Sequence, residues 1–159
     1  MRTHGAVQYA TASFVCWLML TTAVHAADNN IGSWKLNLSK SSYSPGPPPK
    51  SQTTKVEATE GGLKEVVDRV NAQGTAIHFE WTAKFDGKDY PVKGDPDRDS
   101  VYLRKVDDDT TEVTSKKDGK ITTTSRNVVA RDGKSRTVKT TGTNAQGRRV
   151  NNTVVFERQ

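Results

Sequence analysis

Beyond residue 30, apolar and polar side chains alternate with period two over several short runs. Trp34, Leu36 and Leu38 fall on one face of an extended segment, as do Ile77, Phe79, Trp81, Ala83 and Phe85 of a second, and Val150, Val154 and Phe156 of a third. Turn signals punctuate the runs about every 10 to 14 residues, as in antiparallel hairpins. Asp-Gly-Lys occurs at 86–88, 118–120 and 132–134, and Asn-Ala-Gln-Gly at 71–74 and 144–147. Glycine supplies the positive φ these turns need, and Asp or Asn tolerates the left-handed geometry beside it. The strands expected from this punctuation are Ser33 to Lys40, Ser51 to Ala58, Leu63 to Val70, Thr75 to Phe85, Asp89 to Lys93, Ser100 to Val106, Thr110 to Lys117, Ile121 to Ala130, Ser135 to Thr143 and Arg149 to Arg158. A sequential meander of this kind exposes two edges unless its ends meet, and closure removes both. The fold class expected is therefore all-β, an antiparallel up-and-down meander of eight to ten strands closed into a lipocalin-like barrel.

The opening of the chain differs in kind. Arg2 and His4 precede an apolar run from Ala10 to Ala23, and Val24-His25-Ala26 places small residues at −3 and −1 of a cleavage site. Residues 1–26 read as a signal peptide and 27–159 as the single barrel domain, exported to the periplasm or the extracellular space. The apolar run is short for a bilayer, and no later segment approaches the ~20 apolar residues of a transmembrane helix. The only cysteine, Cys16, and both methionines fall within the leader, so the remaining chain has one histidine, His78, and no thiol. Cysteine nucleophiles, thiolate zinc sites and multi-histidine metal centres are excluded on composition. No metal, no cofactor and a monomer are expected.

Gly32-Ser33-Trp34 opening the first strand, and Val155-Phe156-Glu157-Arg158 ending the last, resemble the calycin pattern of lipocalins and fatty-acid-binding proteins. The chain is also similar to exported bacterial lipocalin-like proteins. The resemblance implies a barrel whose first-strand Trp34 is covered by a basic residue of the last strand, Arg158, and cation–π stacking gives that closure contact a physical reason. It also implies a small ligand held inside. The chain departs from the fatty-acid carriers at two places. Their terminal Arg-x-Tyr carboxylate clamp falls here on Val154 and Phe156, and their helical lid is replaced by Ser41 to Lys50, whose prolines forbid a helix. That arm reads as a rigid connector, or as a flap over the barrel mouth with Tyr43 pointing in.

The chain is 33% hydrophobic and 26% charged with formal charge +6, but the charge is uneven. Lys and Arg number 12 against 15 Asp and Glu from Ala27 to Glu112, and 11 against 3 from Val113 to Gln159. The basic C-terminal strands would attract anions. Nucleic acid is a poor partner, because the basic strands lack interleaved aromatics for base stacking. Asp95-Pro96-Asp97-Arg98-Asp99 imitates the start of a calcium loop, yet Ser100 and Val106 stand where an EF-hand requires Gly and Glu. A second acidic run, Asp107-Asp108-Asp109, lies about 20 Å away along the intervening strand at ~3.3 Å per residue. His78 and Glu80 share a strand face opposite the aromatic one and should point to solvent, a poor place for acid–base chemistry, so no catalytic residue is assigned.

Two functional readings follow. In the first, the chain is a non-enzymatic carrier of a small amphipathic or lipid-like ligand. The apolar part would lie against Phe79, Trp81 and Phe156. The anionic part would reach Arg136, which shares a face with Val138, or Arg126, whose facing is ambiguous beside Val128 and Val129. In the second, the barrel is filled by its own side chains and the basic strands dock an anionic glycan, lipid headgroup or protein. A hollow interior favours the first reading and a filled one the second.

Overall fold

A computed structural model describes residues 28–159; the expected leader, with Cys16, lies outside the described residues. Ten antiparallel strands run β1 (Gly32–Ser42), β2 (Ser51–Thr59), β3 (Gly62–Val70), β4 (Ala76–Lys84), β5 (Tyr90–Lys93), β6 (Ser100–Lys105), β7 (Thr110–Lys117), β8 (Lys120–Val129), β9 (Ser135–Thr143) and β10 (Arg149–Arg158). Each pairs with its sequence neighbour, and β1 pairs with β10, so the meander closes into a barrel. Among the described residues there is no helix long and apolar enough to cross a membrane.

Inward-facing positions follow the period-two pattern. On β4, Phe79, Trp81 and Ala83 are buried, and β10 contributes Val154 and Phe156. The registers stack these side chains in rows: Val56, Glu65 and Trp81 face one another across β2, β3 and β4, while Phe156, Arg136 and Val129 do so across β10, β9 and β8. One half of the interior is filled by Trp34, Leu63, Trp81, Ala83, Val101 and Leu103, all at most 3% exposed. Burying side chains of this size is worth roughly 1.5–3 kcal/mol each.

The seam between β1 and β10 is held by Trp34 and Arg158, which are register partners. The Arg158 guanidinium lies 4.3 Å from the centroid of the Trp34 ring. It donates to the carbonyls of Gly133 (2.6 Å), Ile31 (2.7 Å) and Asn29 (2.8 Å), and the Trp34 indole donates to the carbonyl of Asn30 at 2.8 Å. Gly32 has φ +141°, and a Cβ there would overlap Arg158 Nη1. The glycine of the Gly-x-Trp signature is thus needed for the arginine to reach over the tryptophan.

One expected facing fails. Leu38 was assigned to the face of Trp34 and Leu36, but it is 42% exposed. The register runs Asn37↔Val155 and then Ser42↔Thr153, so β1 carries more residues than its partner over this stretch and bulges outward. Ser41 fills the break: its Oγ donates to the Asn37 carbonyl at 2.6 Å and accepts from the Val155 amide at 3.0 Å. Two-residue alternation cannot survive such a bulge.

Candidate ligand-binding site

The other half of the barrel is hollow. A cavity of about 600 Å³ opens at the end where the β1–β2 arm, the β3–β4 turn and the β9–β10 turn converge. Its walls differ. The β3–β4 side presents Val67, Arg69, Ile77 and Phe79, whereas the side formed by β8, β9 and β10 presents Ser125, Asn127, Thr140 and Asn152 together with Val138 and Val154. The Ser125 and Thr140 hydroxyls lie 2.8 Å apart. Toward the filled half, Phe156, Arg136 and Glu65 border the cavity.

Arg136 is the buried cation of this region, 3% exposed. Its Nη1 is 3.5 Å from Glu65 Oε2, and its guanidinium lies 5.0 Å from the Phe156 ring and 5.4 Å from the Trp34 ring. Desolvation lowers its pKa from the ordinary arginine value, and the Glu65 carboxylate opposes that shift. Guanidinium is the cation best suited to such a place, being weakly hydrated and able to stack on aromatic rings.

Phe79 gathers two more arginines. The Arg98 guanidinium is 4.7 Å from the ring centroid and that of Arg69 is 5.6 Å. Arg98 is committed: its Nε donates to Asp95 Oδ2 at 2.7 Å and its Nη1 to Ser115 Oγ at 3.3 Å. The run that imitates a calcium loop thus spends Asp95 on an arginine, and among the described residues no group of three or more His, Cys, Asp and Glu could hold a metal ion. Tyr43, on the arm, also lines the cavity, as do Pro45, Pro47 and Pro49. The arm therefore forms part of the mouth in addition to connecting two strands. Burial pushes the Tyr43 phenol up to about 12, against the opposing pull of Arg69.

The residues expected from sequence divide into two groups. Phe79, Arg136 and Phe156 do line the cavity. Trp81 lies in the filled half, packed with Leu63, Ala83 and Val101, and does not line it. Arg126 lies outside: Val129 is the buried member of the Val128-Val129 pair, so Arg126, with the parity of exposed Val128, projects outward and pairs with Glu112 at 2.8 Å. Arg104 binds the same carboxylate, and the two arginines hold it below the ordinary glutamate range. Of the C-terminal cations, Arg136 points in, Arg126 is matched by Glu112 and Lys116 by Asp89, whereas among the described residues Lys117, Lys120, Arg131, Lys134, Lys139, Arg148 and Arg149 have no carboxylate within salt-bridge distance. His78 and Glu80 face outward, with His78 Nδ1 2.7 Å from Asp68 Oδ1 and Glu80 paired to Lys64 at 3.1 Å. No protein-family model matches the chain, and neither the curated proteins nor the solved structures compared with it give a match.

Glu65, Arg69 and Arg98 were not anticipated. Glu65 and Arg69 share the parity of Leu63 and Val67 on β3, but Val66 and Val70 on the other face make that strand read as apolar on both sides. The signal available was indirect: the pairing of β3 with β4 places Arg69 beside Ile77 and Glu65 beside Trp81, on the face that the β4 alternation marks as inward.

Proposed function

We propose that this chain is an exported, non-enzymatic binding protein of the calycin type that carries a small amphipathic ligand inside its barrel. The observation that carries the reading is the cavity of about 600 Å³, whose lining mixes Phe79, Ile77, Val67 and Val138 with placed hydroxyl, amide and guanidinium groups. Ligand sites are mostly concave and apolar with a few convergent polar groups, and their usual size brackets this one. The half-apolar lining matches a ligand with an apolar skeleton and at least one strongly polar group better than a plain hydrocarbon chain. The alternative, docking of an anionic surface on the basic strands, keeps the unpaired cations of those strands in its favour but loses Arg136, which is turned inward, and Arg126 and Lys116, which are matched by carboxylates.

The test is native mass spectrometry of the protein purified from its own compartment, with calorimetric titration of amphiphiles into the stripped protein. A retained small molecule, or saturable one-to-one binding, is the expected result. If no probe gives measurable heat at ~100 µM, where an interaction of about −5.5 kcal/mol would register, the carrier reading is wrong.

A further inference from the structure

The charges around the cavity do not cancel. Arg136 faces Glu65 and Arg98 faces Asp95, but among the described residues no carboxylate lies within salt-bridge distance of Arg69. Its Nε is buried without a hydrogen-bond partner. A cation held against an aromatic ring in a recess, with a donor unused, costs stability unless something else recovers that cost. Register places it: Arg69 is paired with Gln52 on β2 and Ile77 on β4, one step toward the mouth from Val67 and Phe79. Tyr43, on the arm at the mouth, lines the same cavity as Arg69, and its phenol, pushed up by burial, stays protonated and so able to donate throughout the ordinary pH range.

Resting on the carrier reading above, we infer that the ligand is an anionic amphiphile whose carboxylate or phosphate is received at the mouth by Arg69 with the Tyr43 hydroxyl, its apolar skeleton running inward along Val67 and Phe79. Arg136, the first candidate on sequence grounds, also has a buried Nε without a hydrogen-bond partner, but its charge is met by Glu65 and by two aromatic rings, so it is the unmatched charge of Arg69 that separates the two. A guanidinium fork fits both headgroups, since each offers paired oxygens to parallel N–H donors. The skeleton lies beneath the headgroup on this wall, while the hydroxyls of Ser125 and Thr140 face it from the other.

The experiment titrates decanoate, decyl phosphate and the neutral decanol, each below its aggregation threshold, into wild type, Arg69→Gln and Arg69→Lys by calorimetry, with circular dichroism confirming the fold of each variant. Expected are binding of at least one anion more tightly than decanol by wild type, and a loss of about tenfold or more for that anion in Arg69→Gln, the size of a lost charge-assisted hydrogen bond. Decanol should change less than about twofold, and Arg69→Lys should fall between the two proteins because it keeps the charge without the fork. The tighter anion names the headgroup. Unaltered anion affinity in Arg69→Gln, or in Arg69→Lys and Tyr43→Phe should the glutamine variant not fold, overturns the assignment of Arg69 while leaving the carrier intact. Wild type that binds decanol as tightly as both anions also overturns it. Wild type that binds none of the three overturns the carrier reading itself.

Discussion

The two halves of the barrel interior are built from the same ten strands and treat their cations in opposite ways, although each leaves an N–H buried without a partner, Trp81 Nε1 in the filled half and Arg69 Nε in the hollow one. In the filled half, Trp34 is fully buried, its indole N–H is satisfied by Asn30, and Arg158 spends three donor contacts on backbone carbonyls. In the hollow half, Arg69 keeps a buried donor unused and stands without a carboxylate. A cation matched within the molecule holds the fold together, whereas a charge left unmatched at the mouth is available to a second molecule. Arg136 and Glu65 sit at the boundary and belong energetically to the filled half.

The contrast is sharpened first at its most stable point. Trp34→Ala is expected to cost ~3–5 kcal/mol in urea unfolding, because it empties the packed seam and strands the Arg158 guanidinium. A loss below about 1 kcal/mol would erase the difference between the halves. Next, Arg136→Met is expected to cost about 3 kcal/mol by leaving Glu65 recessed and unpaired, and Arg136→Met combined with Glu65→Leu should recover part of that loss. Additive losses in the double variant would show that the pair is not coupled.

Arg158→Ala comes third, at about 1–2 kcal/mol, since the residue is exposed and its contacts compete with water. At the mouth the effect should be visible mainly as pH dependence. The Tyr43 phenol is raised from 10.0 to about 12, so the stability gained by keeping it neutral is complete below pH 10 and declines as pH rises through about 12. Phenolate absorbance should lose a late-titrating component in Tyr43→Phe, while Tyr90, also raised by desolvation and its hydrogen bond to Asp86, still titrates late. Smallest of all, Arg69→Gln should not lower stability, since it removes an unmatched and recessed cation, while it weakens ligand binding, the reverse of the pattern at Trp34.

Much of this architecture was legible in the chain, because hairpin turns and period-two alternation are local signals. All ten strands occur where they are expected, five of the nine connections between them being the Asp-Gly and Asn-x-x-Gly turns, and the pairing of Trp34 with Arg158 follows from parity on the two end strands. What could not be read depended on neighbours. Leu38 leaves its expected face because β1 must bulge against β10, a property of the pair and not of either strand. Arg126 was ambiguous because Val128 and Val129 are adjacent, and only the pairing of Val129 with inward-facing Arg136 decides which valine faces in. Trp81 alternates correctly and still misses the cavity, since alternation gives the side of the sheet and says nothing of height along the barrel. The ionic pairs are the least local feature: Glu65 and Arg136 are 71 positions apart in the chain.

The seam between the first and last strands also sets the order in which the molecule can be assembled. Every other neighbouring pair in the meander is joined by a short connection and can zip as the chain emerges, but β1 waits for residues 149–158 to arrive. Until then both β1 and the newest strand present open edges, and Trp34 has neither its covering arginine nor a complete barrel around it. Pairing the two ends is the contact of longest sequence separation, the kind that slows folding most. A chain arranged this way stays unlocked until β10 has been made, and residues 149–158 act as the latch that commits the barrel to its closed state.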